Sequence, residues 1–247
     1  MKTVAVIPAR CASSRFPGKP LADINGKPMI WWVYQEAKKV PSYERIIVAT
    51  ESELISDKCK ELGMEVMLTS DTHPTGTDRV AEVAQSVLAD VYVIVMGDEP
   101  LVTARDQLKL LSSIGADNSD IAAVMLTERF KNPVDAINTT TIKLAINDEG
   151  DLIFMSRSAI PFPKDMLEYP LFKNVGCYAL RKDALDYFIK TSPGRIERAE
   201  GIELLRLIEN HKRVKTVEIE SESMAVDTKK DLERIRKIMK NKTVDKI

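Results

Sequence analysis

Residues 7 to 30, IPARCASSRFPGKPLADINGKPMI, gather Arg10, Arg15, Lys19, Lys27 and two glycines directly after a short apolar run. Guanidinium and ammonium groups beside backbone amides in a glycine-containing loop make a cradle for phosphate oxygens, Arg as a planar fork and Lys as a point charge. Neither common nucleotide signature is present. A P-loop ending in Gly18-Lys19 needs a glycine where Ser13 stands, and no GxGxxG occurs. The plain alternative is a solvated cationic loop, since exposed Arg and Lys are the default.

Two carboxylates could complete such a site. In MGDEPLV (96–102) an apolar run stops at Gly97, Asp98, Glu99 and Pro100, and in AVDTKKDLERI (225–235) Asp227 precedes a helix. A carboxylate at a strand end beside a phosphate loop can hold Mg²⁺, which takes one or two carboxylates plus phosphate oxygens. Each also has an ordinary reading: Gly-Asp is a common turn, and Asp227, Thr228 and Asp231 suit helix capping. THPTGTDRV (72–80), with Thr75, Gly76, Asp78 and Arg79, is a Pro/Gly loop leading into a helix and needs no function to explain it. His73 and His211 read as isolated surface residues.

The elements that must position these groups follow from hydrophobic patterning. Near-continuous apolar runs at 3–8, 45–50, 65–70, 91–97 and 121–126 predict parallel strands covered on both faces. Helices are expected at 28–40, 53–62, 77–88 and 103–114 between them, so the fold class is α/β with a mostly parallel mixed sheet. In such sheets ligands bind beyond the carboxyl ends of the strands, where segment 9–27 must lie. From about 127 to 170 the rhythm becomes hairpin-like, with a turn at Asp148-Glu149-Gly150 and a further strand at 174–181. Helices at 182–190 and 197–209, a strand at 213–219 and a charged helix from Thr228 finish the chain. A length of 247 residues suits one domain carrying a β-rich sub-domain at about 127–170.

With 36 basic and 37 acidic residues, the formal net charge is -1, so no global field favours nucleic acid or an anionic membrane and any anion site is local. Three cysteines without a CxxC pair argue for a reducing compartment. The N-terminal apolar run is too short for a signal peptide or a membrane span. The expected location is cytoplasmic.

In combination, IPARCASSRFPGKPL (7–21), GTDR (76–79), GDEPL (97–101), SRSAIP (156–161), NVGCYALR (174–181) and VDTKKDL (226–232) resemble the 3-deoxy-manno-octulosonate (Kdo) cytidylyltransferases, over residues 3 to about 239. The resemblance implies a Rossmann-like nucleotidyltransferase fold, a homodimer formed partly through the β-rich insertion, and transfer of CMP from CTP to an acidic sugar with release of pyrophosphate. It implies that Arg10, Ser13, Arg15, Lys19, Thr75, Gly76, Asp78 and Arg79 hold the nucleotide, with Lys19 and Arg10 acting beside Asp98 and Asp227, the Mg²⁺ ligands. It assigns Met96, Arg157, Asn174, Glu200, Glu203 and Leu204 to the acceptor, Arg157 being available for its acid group. Three positions depart from the family: Met96, Asn174 and Leu204 stand where it carries Gln, His and Gln. The reaction class is therefore expected more firmly than Kdo itself as acceptor. Other expectations are a small phosphonate or related acid as acceptor, a nucleotidyltransferase for a sugar phosphate, or a catalytically silent homologue. Retention of both aspartates and all three cations disfavours the last.

Overall fold

The computed structural model describes residues 1–12, 15–115, 120–166 and 168–244. In chain order its parallel half consists of β1 (Thr3–Pro8), the ribbon β2 (Asp23–Ile24) and β3 (Lys27–Pro28), α1 (Met29–Lys38), β4 (Tyr43–Thr50), α2 (Glu53–Glu61), β5 (Val66–Leu68), α3 (Gly76–Ser86) and β6 (Val91–Val95). The mixed half follows with α4 (Ala104–Ser113), β7 (Ile121–Arg129), β8 (Lys143–Ile146), β9 (Leu152–Ser156), β10 (Phe172–Arg181), α5 (Lys182–Lys190), α6 (Arg195–Glu200), α7 (Leu205–Glu209), β11 (Arg213–Glu218) and α8 (Lys229–Val244).

The main sheet has the order β11-β7-β10-β6-β1-β4-β5. β1 runs parallel to β4 and β6, β4 to β5, and β11 to β7, whereas β10 is antiparallel to both β6 and β7. One consequence places the site. The carboxyl ends of β1, β6, β7 and β11 and the start of β10 share a single edge.

Side chains alternate between the two faces of the sheet as the strand period requires. Val4, Val6, Tyr92 and Ile94 face a core built with Val80, Val83, Leu185 and Phe188 of α3 and α5. Ile7, Val91, Val93 and Val95 face a second core with Ile30, Val33, Ile55 and Leu110 of α1, α2 and α4. A third cluster, Ile24, Met29, Leu101, Val226, Leu232 and Ile235, seats α8 against the β2–β3 ribbon.

The hairpin expected around the turn at Asp148-Glu149-Gly150 is present as antiparallel β8 and β9, with Asn147 Oδ1 accepting the amides of Glu149 and Asp151 at 3.1 and 2.7 Å. The helix expected over 197–209 is instead two, α6 and α7. Gly201 breaks it with φ +63°, a conformation unfavourable to residues with a Cβ, and residues 202–204 turn toward the cleft. Among the described residues no helix is long and apolar enough to cross a membrane.

Candidate active site

A cleft of about 950 Å³ opens at the shared strand edge. Thirteen sequence-predicted residues line it: Arg10, Arg15, Lys19, Thr75, Gly76, Arg79, Met96, Asp98, Arg157, Asn174, Glu203, Leu204 and Asp227. Ser13 lies outside the described residues.

The floor is built from two chain-distant turns. After β6 the chain reverses through Gly97 and Asp98, and the Asp98 carbonyl accepts the Val226 amide at 2.9 Å. That bond sets Asp227 beside Asp98. The loop after β1 is closed by the Gly18 amide donating to the Cys11 carbonyl at 2.9 Å, and the Cys11 amide donates to Glu51 Oε1 at 2.8 Å. Lys19 then starts a short helical turn and points inward, its side chain only 13% exposed. Its ammonium touches Asp98, donates to the Val226 carbonyl at 3.2 Å and lies 3.6 Å from Asp227 Oδ1. Arg15 Nη2 meets the same Asp227 oxygen at 2.9 Å. Two cations and two carboxylates thus form one cluster, with exposed Arg10 at the rim.

Beside it, Glu99 is buried, and burial, then the charge of Asp98, push its carboxyl up to about 8. Its Oε1 accepts the Gly176 amide at 3.0 Å, while Oε2 has no partner. Gly176 is required by close approach: a Cβ there would lie 2.9 Å from Glu99 Cγ and 3.0 Å from Met96 Cβ. Asn174 Nδ2 donates to the buried Tyr178 hydroxyl at 2.9 Å. Glu203 accepts the Thr77 amide at 3.1 Å in the first turn of α3, and burial raises its carboxyl above the ordinary range.

The geometry places several of the assigned residues away from the cleft or in structural roles. Asp78 does not line this cleft: its carboxylate takes the Thr75 hydroxyl at 2.6 Å and buried Arg206 at 3.0 Å. Glu200 also lies outside the lining, accepting the Ser156 hydroxyl at 2.6 Å and the Arg157 amide at 2.9 Å, so it supports Arg157. Arg157 donates from Nε to the Glu200 carbonyl at 2.7 Å and from its two terminal nitrogens to the Thr139 and Gly201 carbonyls. Arg79 reaches the wall, yet its guanidinium is held by Glu51 at 2.9 Å, Thr69 and the Ser70 carbonyl. Leu204 is 1% exposed and belongs mainly to the core. His73 is not a free surface residue: it is half-buried, lines the cleft and pairs with Glu82.

Other groups carry no local sequence signal. Lys143 is fully buried, its ammonium held by the carbonyls of Asn138 at 2.9 Å, Thr141 at 2.8 Å and Arg157; burial, then the charge of Arg157, lower its pKa. Lys173 and Glu128, neighbours across β10 and β7, pair at 3.0 Å at the cleft wall. Arg206 bridges Glu197 and Asp78 and stacks 4.4 Å from the Phe188 ring centroid. Only strand register and tertiary packing bring these partners together.

The sequence profile described as "Cytidylyltransferase" matches residues 4–216. A 3-deoxy-manno-octulosonate cytidylyltransferase of Geobacter metallireducens is 39% identical, over 95% of this chain and 96% of its own. The Escherichia coli protein of that name is 37% identical, over 96% of both chains. A solved structure of CMP:2-keto-3-deoxy-manno-octonic acid synthetase complexed with CTP superposes with a TM-score of 0.92 at 36% identity, covering 98% of this chain and 100% of the other. Sheet order, strand-edge cleft and structural likeness define a nucleotidyltransferase. Within that class, the chain belongs to the cytidylyltransferase family.

Proposed function

We propose that this protein transfers CMP from CTP to a 3-deoxy-2-keto sugar acid of the Kdo type. The acceptor hydroxyl oxygen bonds to the α-phosphorus, the bond from that phosphorus to the bridging oxygen breaks, and pyrophosphate and the hydroxyl proton are released. The observation that carries the reading is the convergence of Lys19, Arg15, Asp98 and Asp227 in one cluster on the floor of the cleft. Such a transfer needs charge neutralisation and alignment more than covalent help.

On this reading Arg10, Arg15 and Lys19 bind the triphosphate, and Arg157 faces the acceptor's acid group. Asp98 and Asp227 fit Mg²⁺: both are oxygen donors, they are adjacent, and a cationic ammonium already bridges them. When bound, that ion supplies charge neutralisation and Lewis acidity. Among the described residues no cluster of three His, Cys, Asp or Glu offers a protein-only cage, which agrees with a metal that also relies on substrate oxygens.

A homodimer through residues 127–170 is part of the proposal. It is supported by large apolar side chains left outside the core there: Ile137 is 72%, Phe162 85% and Met166 61% exposed. A cytoplasmic location and a single domain with that insertion complete the reading. Pyrophosphate release with CTP, Mg²⁺ and Kdo tests it, against other nucleoside triphosphates and acids. Release with a different nucleotide, or none with CTP and any acid, would reject it.

A further inference from the structure

The segment between β11 and α8, residues 219–228, is an irregular strap that carries Asp227. Its amino end is sewn to β7 by the Ile219 amide donating to the Thr127 carbonyl at 2.8 Å, and to α4 by the Ser221 hydroxyl donating to Asp106 Oδ1 at 2.6 Å. Its middle is held differently. Glu128, at the end of β7, accepts both the amide and the hydroxyl of Ser223, at 2.8 and 3.0 Å. Lys173, at the start of β10, donates to the Ser223 carbonyl at 2.9 Å while pairing with Glu128 at 3.0 Å.

We propose that the Glu128–Lys173 ion pair is a positioning clamp for Asp227, a role that rests on reading Asp227 as a metal ligand. The pair takes the N–H and the C=O of one buried residue together, so it fixes both position and orientation of the peptide at Ser223. Three residues later the Val226 amide reaches Asp98, and Asp227 follows. The strap has no ladder hydrogen bonds, so discrete contacts of this kind, together with the Val226–Asp98 bond, must hold a side chain on it to the fraction of an ångström that a shared site demands. The strand register supplies the clamp's stiffness, since Lys173 and Glu128 face each other across an antiparallel pair.

The test uses Lys173→Met, Lys173→Arg, Glu128→Gln and the milder Ser223→Ala in the whole chain. Hydrogen exchange of the nucleotide-free protein is expected to show about tenfold faster exchange at the Ser223 and Val226 amides in Lys173→Met and Glu128→Gln, with the β1 and β6 amides unchanged. Mn²⁺ affinity, read by electron paramagnetic resonance, and kcat are expected to fall about tenfold or more with KM values little altered. Lys173→Arg, which keeps a cationic donor, is expected to restore most of both, and Ser223→Ala to shift them slightly in the same direction. Unchanged strap exchange in both clamp variants overturns the proposal. So does unchanged Mn²⁺ affinity, or a rise in acceptor KM alone, which would mark Lys173 as a direct substrate contact. Asp227→Asn separates the two ideas: if it still binds Mn²⁺ normally the metal reading fails, and the exchange data judge the clamp's hold on the strap independently.

Discussion

Lys19 and Asp98 are in contact on the cleft floor, although they lie 79 residues apart in the chain, one in the loop after β1 and one in the turn after the neighbouring β6. In the ligand-free protein the ammonium is therefore the counter-ion of the carboxylate pair. On the proposed reading, a triphosphate bound with a divalent ion would redirect it from carboxylate to phosphate. Lys19→Met is expected to weaken CTP binding about tenfold or more, because a charge-assisted bond is lost. The same variant should bind Mn²⁺ more tightly without nucleotide, because nothing competes for the two aspartates. Calorimetry and electron paramagnetic resonance measure the two effects, and equal CTP affinity would return the loop to a solvated surface role.

Asp98→Asn and Asp227→Asn should each lower turnover about a hundredfold or more, equivalent to about 3 kcal/mol of barrier, with the fold retained. Steady-state rates at saturating Mg²⁺ decide this, and full activity in either variant would remove that residue from the mechanism.

Glu99 gives a pH dependence of stability in the chelated, metal-free protein. Its carboxyl rises from an ordinary 4.5 to about 8 in the fold, so the folded state binds the extra proton between those values. The stabilisation is complete below about 4.5 and is lost as pH rises toward 8, after which it is flat. Glu99→Gln should flatten that slope in urea titrations run from pH 5 to pH 9, roughly across the window. An unchanged slope would show that another group titrates.

Arg206 is a structural prediction. It is 1% exposed and serves Glu197, Asp78 and the Phe188 carbonyl at once. Arg206→Met should cost about 3 kcal/mol by leaving buried Glu197 without its cation and the half-buried Asp78 with only the Thr75 hydroxyl. The corresponding fall in Tm is on the order of 10 °C. Arg206→Lys should not rescue it, since an ammonium lacks the planar fork.

For the acceptor, Met96→Gln with Asn174→His should raise kcat/KM for Kdo about tenfold if missing hydrogen-bond partners limit its use. Leu204 is left alone because its burial in the core would make a Gln there destabilising. If the wild type already uses Kdo best among a panel of acids and the double variant gains nothing, these substitutions are silent.

Much of this was legible in the sequence because it is local. Apolar runs gave the strands, and the cations of segment 7–30 and the acids of 96–102 follow strands directly, where ligands collect, whereas Asp227 ends an irregular strap and reaches the site only through the Val226–Asp98 bond. Where assigned residues lie away from the cleft, the reason is tertiary. The resemblance places Asp78 with the nucleotide residues through GTDR, but a helix start fans its side chains apart, and Asp78 turns to Arg206, far along the chain. Glu200, which the resemblance places with the acceptor, is taken up instead by the Ser156 hydroxyl and the Arg157 amide, partners more than 40 residues away in the chain. Lys143, Glu128 and Lys173 escaped notice because each is an ordinary strand residue until register chooses its partner.

The bond between the Val226 amide and the Asp98 carbonyl has a further consequence for how the protein comes into being. Its two ends are synthesised far apart in time, one from the middle of the chain and one near its finish. A nascent or prematurely terminated polypeptide that has completed β1 to β6 already owns the cationic loop and Asp98, yet lacks the second carboxylate. The strap brings Asp227 to Asp98 only once β7, β10 and β11 have been added beside β6, so the pairing of the two carboxylates reports closure of the whole sheet and not of its first half.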